Sequence, residues 1–246
     1  MRHPRVSSPP LVCVAHGSTD PRAAATVGSL LDVVRERAPG ADVRVAFLGH
    51  AAPSVPSVLT SLGNGPVVVL PLLLTAAYHS KIDLPAQLSG VDARVHYGPV
   101  LGPHPLLLDA AERRVASTGL FDRDSTGVVL AAAGSSDPGA NATIHQVAAQ
   151  WRERGGWRAV IPAYASAAPP TVAEAVTALR DVPGVRRVLV ATYLIAPGQF
   201  ADQIRASALE AGADAVTPAL GALPEVADLI LERYTATVSS LQADVA

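Results

Sequence analysis

Apolar residues fall in short blocks along this chain, and the blocks alternate between two spacings. Leu11, Val12, Val14 and Ala15 form a nearly unbroken run bounded by turn residues, the pattern of a strand buried on both faces of a parallel sheet. The run ends in His16-Gly17-Ser18-Thr19-Asp20-Pro21. Gly17 permits a sharp turn, the next three side chains offer oxygens that can cap a helix, and Pro21 suits the first helical position. Val27, Leu30, Leu31 and Val34 then recur at helical spacing until Pro39–Gly40. The same reading predicts a strand over Val43 to Leu48, a helix over Pro53 to Leu62 starting near Ser54, and a strand over Val67 to Leu74 after the Asn64–Gly65 turn. A loop over Ala76 to Pro85, a short helix over 83–88, a strand over Ala93 to Tyr97 and a helix over Pro105 to Val115 close the half. Strands alternating with helices imply parallel β-α units.

The pattern then restarts. Gly134, Ser135, Asp137 and Pro138 each stand 117 positions after Gly17, Ser18, Asp20 and Pro21. AAPP at 167–170 echoes AAPS at 51–54 at a shift of 116, a third strand recurs as Arg186 to Tyr193, and TPALGALP at 217–224 mirrors GPVLGPHP at 98–105 at a shift of 119. A period this long means two copies of one domain rather than a solenoid. The expected architecture is α/β: two flavodoxin-like or Rossmann-like parallel-sheet lobes related by internal duplication, 1–120 and 127–246, with the boundary near Leu120 to Thr126.

Composition narrows the partners. In 246 residues, 49% are hydrophobic and 16% charged, enough for a sizeable core and too apolar for disorder. Nineteen Lys and Arg against 21 Asp and Glu give a net charge of -2, so no global basic field attracts nucleic acid or anionic lipid. Cys13 is the single cysteine and is read as core. The N-terminal segment MRHPRVSSPP has no apolar stretch after it that would make a secretory signal. The longest apolar run, Val67 to Ala77, is broken by Pro71 and falls short of the ~20 residues a membrane span needs. A soluble cytoplasmic protein, monomer or homodimer, with no nucleic-acid or membrane partner is expected.

Candidate chemistry enters through the histidines. His16 follows the first strand, and ligands bind open α/β sheets at that carboxyl edge. A lone histidine there is more often a hydrogen-bonded structural residue. Here the repeat argues otherwise. His16 is matched by Ala133, and His79, after the third strand, by Gln199 or its neighbour. A purely structural role would be expected in both copies. In a flavodoxin-like order strands one and three are neighbours, so both rings can face one cleft. Neutral imidazole suits Fe, Co, Ni and Zn alike, and a two-histidine grip leaves positions open and the ion free to leave.

The segments HGS-x-DP at 16–21, PLLLTAAYHSKIDLP at 71–85 and LGPHP at 101–105 resemble the sirohydrochlorin chelatase family, the class II chelatases of siroheme and cobalamin synthesis. The resemblance covers nearly the whole chain and extends to the duplicated long form, whose catalytic histidines lie in the N-terminal half. It implies insertion of Fe2+ or Co2+ as substrate into sirohydrochlorin, an eight-carboxylate tetrapyrrole, without ATP or an organic cofactor. His16 and His79 would hold the metal and accept protons as two pyrrole N–H groups are lost. The chain departs from the family pattern in one place. FLGHAAP at 47–53 has Gly49 where family members usually carry Glu, and His50 stands beside it. His50 is read either as a third ligand or base, or as an exposed loop histidine.

Other residues carry less. Lys81, Arg22 and Arg205 are candidates for substrate carboxylates, with Lys81 and Asp83 flanking His79 also readable as a solvated pair. Asp20 is read as a cap because Asp137 repeats it, His104 as the residue opening the helix at Pro105, and Trp151 and Trp157 as core or lid. No partner is argued for His3, His96 or His145. Neither G-x-G-x-x-G nor a phosphate loop follows the first strand, Ser18 lacks a G-x-S-x-G elbow, and no adjoining Arg completes a histidine phosphatase. A non-catalytic divalent-metal carrier on the same scaffold is the competing reading.

Overall fold

The computed structural model describes residues 8–76, 84–88, 93–119 and 122–243. The first half runs β1 (Leu11–Ala15), α1 (Pro21–Arg37), β2 (Val43–Phe47), α2 (Val55–Leu62), β3 (Pro66–Pro71), α3 (Leu84–Leu88), β4 (Arg94–Tyr97) and α4 (Pro105–Ala116). The second runs β5 (Thr126–Ala132), α5 (Pro138–Gly155), β6 (Ala159–Tyr164), α6 (Val172–Arg180), β7 (Arg187–Thr192), α7 (Gln199–Glu210), β8 (Ala215–Val216) and α8 (Pro224–Ala243). Each half forms one four-stranded parallel sheet, β2-β1-β3-β4 and β6-β5-β7-β8. This is the expected two-lobed α/β architecture, with strands one and three adjacent.

Strand periodicity sorts the core. Leu11, Cys13 and Ala15 face a large core shared by the two lobes, while Val12 and Val14 face a smaller one under α2. Val128, Leu130 and Ala132 repeat the first arrangement, and Val129 and Ala131 face a core of their own under α6. Successive side chains leave a strand on opposite faces, so a strand covered on both sides must be apolar throughout. Burial pushes the Cys13 thiol up to about 12, as expected of a core residue.

The shared core carries an exchange that periodicity does not show. The helix beginning at Pro105 is expected to close the first half, but α4 packs on β7 of the second sheet. In return α8 packs on α1, β3 and β4 of the first. Tyr234 Oη donates to Pro9 O at 2.7 Å and Arg37 Nε to Asp228 Oδ1 at 2.8 Å, tying α8 to the first lobe. Glu112 of α4 accepts from the indole N–H groups of Trp151 and Trp157 at 2.6 and 3.0 Å, so both tryptophans are core.

Three local expectations need correction. The third strand ends at Pro71, opposite Val14 of β1, and beyond it Leu73 O accepts from Leu101 N at 2.9 Å rather than continuing the ladder. The second helix, expected to begin near Ser54, does so, with Ser54 as its cap and Val55 its first residue rather than Pro53. The echo of AAPS lies at a shift of 117, not 116. The cap Ser54 corresponds to Thr171, and the bridge Phe47 to Ser54 to the bridge Tyr164 to Thr171.

Candidate active-site cleft

A cleft of about 850 Å³ opens at the carboxyl edges of both sheets, between the lobes. The β1–α1 turn, the β2–α2 loop and residues 72–75 form one wall, and their counterparts from the second half form the other. Topology brings these segments together, since all of them follow parallel strands on the same edge.

His16 is delivered by β1 and fixed by the β2 end. Leu48 N donates to Ala15 O at 3.0 Å and Gly49 N to His16 O at 3.1 Å. The two loops approach so closely that a Cβ on Gly17 would stand 1.7 Å from Gly49 O, and Gly17 sits at φ +89°. Only glycine fits there. Gly134, φ +87°, meets Ser166 O in the same way at 1.9 Å. The turn is therefore a property of the scaffold, and the imidazole is what the first half adds. His16 is exposed, and its Nδ1 lies 3.1 Å from Gly17 O. An Nδ1–H donated to that carbonyl makes Nε2 the lone-pair nitrogen of the neutral ring.

His50 lines the same wall. It occupies the left-handed region at φ +59°, as does its counterpart Ala167 at φ +63°. The conformation again belongs to the fold, and histidine tolerates it better than most residues. The rings of His16 and His50 are 6.4 Å apart between centroids and 18° from parallel. Gly49 keeps open space beside them, for a Cβ there would meet nothing within 4 Å. Among the described residues no group of three or more His, Cys, Asp and Glu is placed to hold a metal ion. His79, Lys81 and Asp83 lie outside the described residues, as does His3.

The arginines predicted to meet substrate carboxylates do not line the cleft. The Arg22 guanidinium is held by Asp20 Oδ2 at 2.5 Å and by Asp202 Oδ2 of α7 at 2.6 Å, a bridge between the lobes. Arg205 is exposed on α7, whose buried face is Ile204 and Ala208. Asp20 caps α1 through Arg22 N at 2.9 Å, as Asp137 caps α5 through Gly139 N at 2.8 Å. His104 caps α4 by accepting from Leu106 N at 3.3 Å.

No Lys, Arg, Asp or Glu is found among the described lining residues. The walls are mainly small or aliphatic residues, with hydroxyls at Ser18, Thr19, Ser135 and Ser136. Two lining residues escaped the sequence reading, Tyr193 at the end of β7 and Phe200 in the first turn of α7. The repeat held a signal for the first. Pairing of β1 with β3 and of β5 with β7 aligns Val68 with Leu189, which sets Tyr193 where the first half has Leu72. Phe200 is the neighbour of Gln199 that the repeat sets against position 79, at the same shift of 121.

A family model described as CbiX matches residues 10–118 and again 127–237. The sirohydrochlorin ferrochelatase of Priestia megaterium is 25% identical over 210 residues, covering 82% of this chain and 79% of that protein. The sirohydrochlorin cobaltochelatase of the same organism is 25% identical over 167 residues, 63% of this chain and 54% of that protein. Among solved structures, SirB from Bacillus subtilis with Fe3+ superposes with a TM-score of 0.82 at 22% identity, covering 96% of this chain and 98% of that one. That likeness is one of fold.

Proposed function

The chain belongs to the CbiX family, and from that membership we propose that it is a sirohydrochlorin chelatase, inserting Fe2+ or Co2+ into the tetrapyrrole of siroheme or cobalamin synthesis. The observation that carries the proposal is the His16–His50 pair, two exposed imidazoles on one wall of a cleft between the lobes whose described lining residues include no Lys, Arg, Asp or Glu.

Each part of that arrangement has a use. An imidazole binds a borderline divalent ion as the neutral ring. His16, with His79 by family resemblance and His50 as a third donor, gives a set small enough to release the ion to four converging pyrrole nitrogens. In the exchange the metal forms bonds to the macrocycle nitrogens, two N–H bonds break, and two protons leave to imidazole or water. Ligands must be unprotonated, so metal uptake is linked to proton release.

The described walls, which carry no Lys, Arg, Asp or Glu, set the orientation. Burying a carboxylate without a partner is costly, and sirohydrochlorin carries eight. The apolar ring system therefore enters the cleft while the carboxylates point to the rim and solvent. The N-terminal lobe holds the metal, and the macrocycle lies between the lobes.

The test is anaerobic absorbance of the protein with sirohydrochlorin and Fe2+ or Co2+, against spontaneous insertion and the His16→Ala and His79→Ala variants. Acceleration abolished by both substitutions is the expected result. No acceleration, with metal binding intact, would replace the proposal with a non-catalytic metal carrier.

A further inference from the structure

One peptide unit, Leu48–Gly49, lies between the two imidazoles of the first lobe. Its N–H donates to His16 O at 3.1 Å, and His50 follows it directly in the chain. A trans peptide is planar, so the carbonyl of the same unit points the opposite way. There it meets Gln87 of α3, whose side-chain amide donates to Leu48 O at 2.9 Å. The plane is thus held at both ends, by the β1–α1 turn at its nitrogen and by α3 at its oxygen.

The second lobe repeats the clamp with one difference. Gln203 of α7 donates to Ala165 O at 2.9 Å, while Ser166 N donates to Ala133 O at 3.0 Å. A glutamine therefore holds the equivalent peptide unit in both halves. Ser166 adds a further bond from its Oγ to Ala133 O at 3.1 Å, and the first lobe has Gly49 at that position. Glycine leaves a peptide plane freer to turn, and a Cβ at Gly49 would meet nothing within 4 Å, so no packing restrains it either. The first-lobe unit consequently depends on its glutamine more than the second-lobe unit does. His50 needs that restraint, because its φ of +59° is a sparsely populated conformation that persists only where neighbours fix it. Gln87 also stands fifteen residues after Leu72, against ten from Tyr193 to Gln203, and the longer connection is the one that carries His79.

We propose that Gln87 is a positioning residue of the metal wall, fixing the Leu48–Gly49 plane and through it the placement of His50 against His16 for one divalent ion. Gln87 does not line the cleft and acts through the backbone. Groups that orient metal ligands from behind matter to affinity nearly as much as the ligands themselves. This rests on the chelatase reading and deepens it.

The test is titration with Co2+, read by its visible d–d bands, of the wild type, Gln87→Ala, Gln87→Met and Gln203→Ala. Gln203→Ala removes the equivalent bond from the lobe that has alanine at both histidine positions, so it carries the structural cost alone. Both alanine variants are expected to lose a few degrees of Tm. Only the Gln87 variants are expected to bind Co2+ more weakly, by about tenfold, and to shift the d–d bands. Gln87→Met keeps the length of the side chain without the donor and should match Gln87→Ala. Wild-type affinity in Gln87→Ala, or an equal loss in Gln203→Ala, would overturn the inference and leave the chelatase reading intact. So would wild-type affinity in Gln87→Met, which would make the contact one of packing. A Gln87-dependent Co2+ site in a protein that does not accelerate insertion into sirohydrochlorin would sink the chelatase reading while the positioning role stood. Absence of Co2+ binding in the wild type would overturn both.

Discussion

The imidazoles of His16 and His50 face each other at 6.4 Å between centroids, 18° from parallel, although the two residues lie on different loops of the first lobe. Gly49 N donates to His16 O at 3.1 Å and so holds the loops together. In the second lobe the same backbone contact joins Ser166 N to Ala133 O at 3.0 Å, with alanine at both histidine positions, 133 and 167. The frame is duplicated and the imidazoles are not.

If His50 is a ligand, His50→Ala weakens Co2+ binding on the order of tenfold, equivalent to about 1.4 kcal/mol. Titration with Co2+, read by its visible d–d bands, checks this. Unchanged affinity and an unchanged insertion rate would leave His50 an exposed loop residue.

Gly49→Glu is sterically open, since a Cβ at Gly49 meets nothing within 4 Å. The variant introduces a carboxylate beside His50, at the position where the family resemblance implies Glu. Tighter Co2+ binding by several-fold is expected, measured in the same titration, with the fold's Tm unchanged to within a few degrees.

Gly17→Ala and Gly134→Ala each set a methyl group against a carbonyl oxygen, at 1.7 and 1.9 Å. Both positions also have φ near +90°. Each substitution should cost at least ~2 kcal/mol in urea unfolding. Only Gly17→Ala also displaces the His16 imidazole, so at temperatures where both variants remain folded it alone should weaken Co2+ binding.

Glu112 Oε1 accepts from both indoles of the chain. Glu112→Ala strands two donors in the shared core and should destabilise by roughly 2 kcal/mol or more. Because the chain has 2 Trp, both at this spot, intrinsic fluorescence during urea unfolding reports the change directly.

Arg22, by side-chain hydrogen bonding, holds the Asp20 carboxyl below its usual range, and the Arg22 backbone N–H adds to it. The folded state therefore favours the carboxylate. Its contribution is complete above the ordinary aspartate value of about 3.9 and is lost as pH falls through the lower folded-state value. Urea midpoints should decline less steeply with acidification in Asp20→Asn than in the wild type. Parallel pH profiles would show that the Asp20 charge and its pairing with Arg22 do not contribute.

Much of this architecture was legible along the chain because its causes are local. Apolar runs buried on both faces mark parallel strands, Asp20 and Asp137 mark helix starts by capping, and duplication shows as residues recurring at a near-constant shift. The absence of histidine at 133 pointed to His16 by comparison within one sequence. What the sequence could not show depends on contacts between distant segments. The exchange of α4 and α8 between sheets is invisible because an amphipathic helix packs equally well on either apolar face. The pairing of Arg22 with Asp202 across the lobes likewise depends on the fold. The nearness of His50 to His16 needed the turn at Gly17 and the left-handed backbone at position 50 to act together. Tyr193 and Phe200 joined the cleft only in the tertiary structure, which brings the end of β7 and the start of α7 against the first lobe.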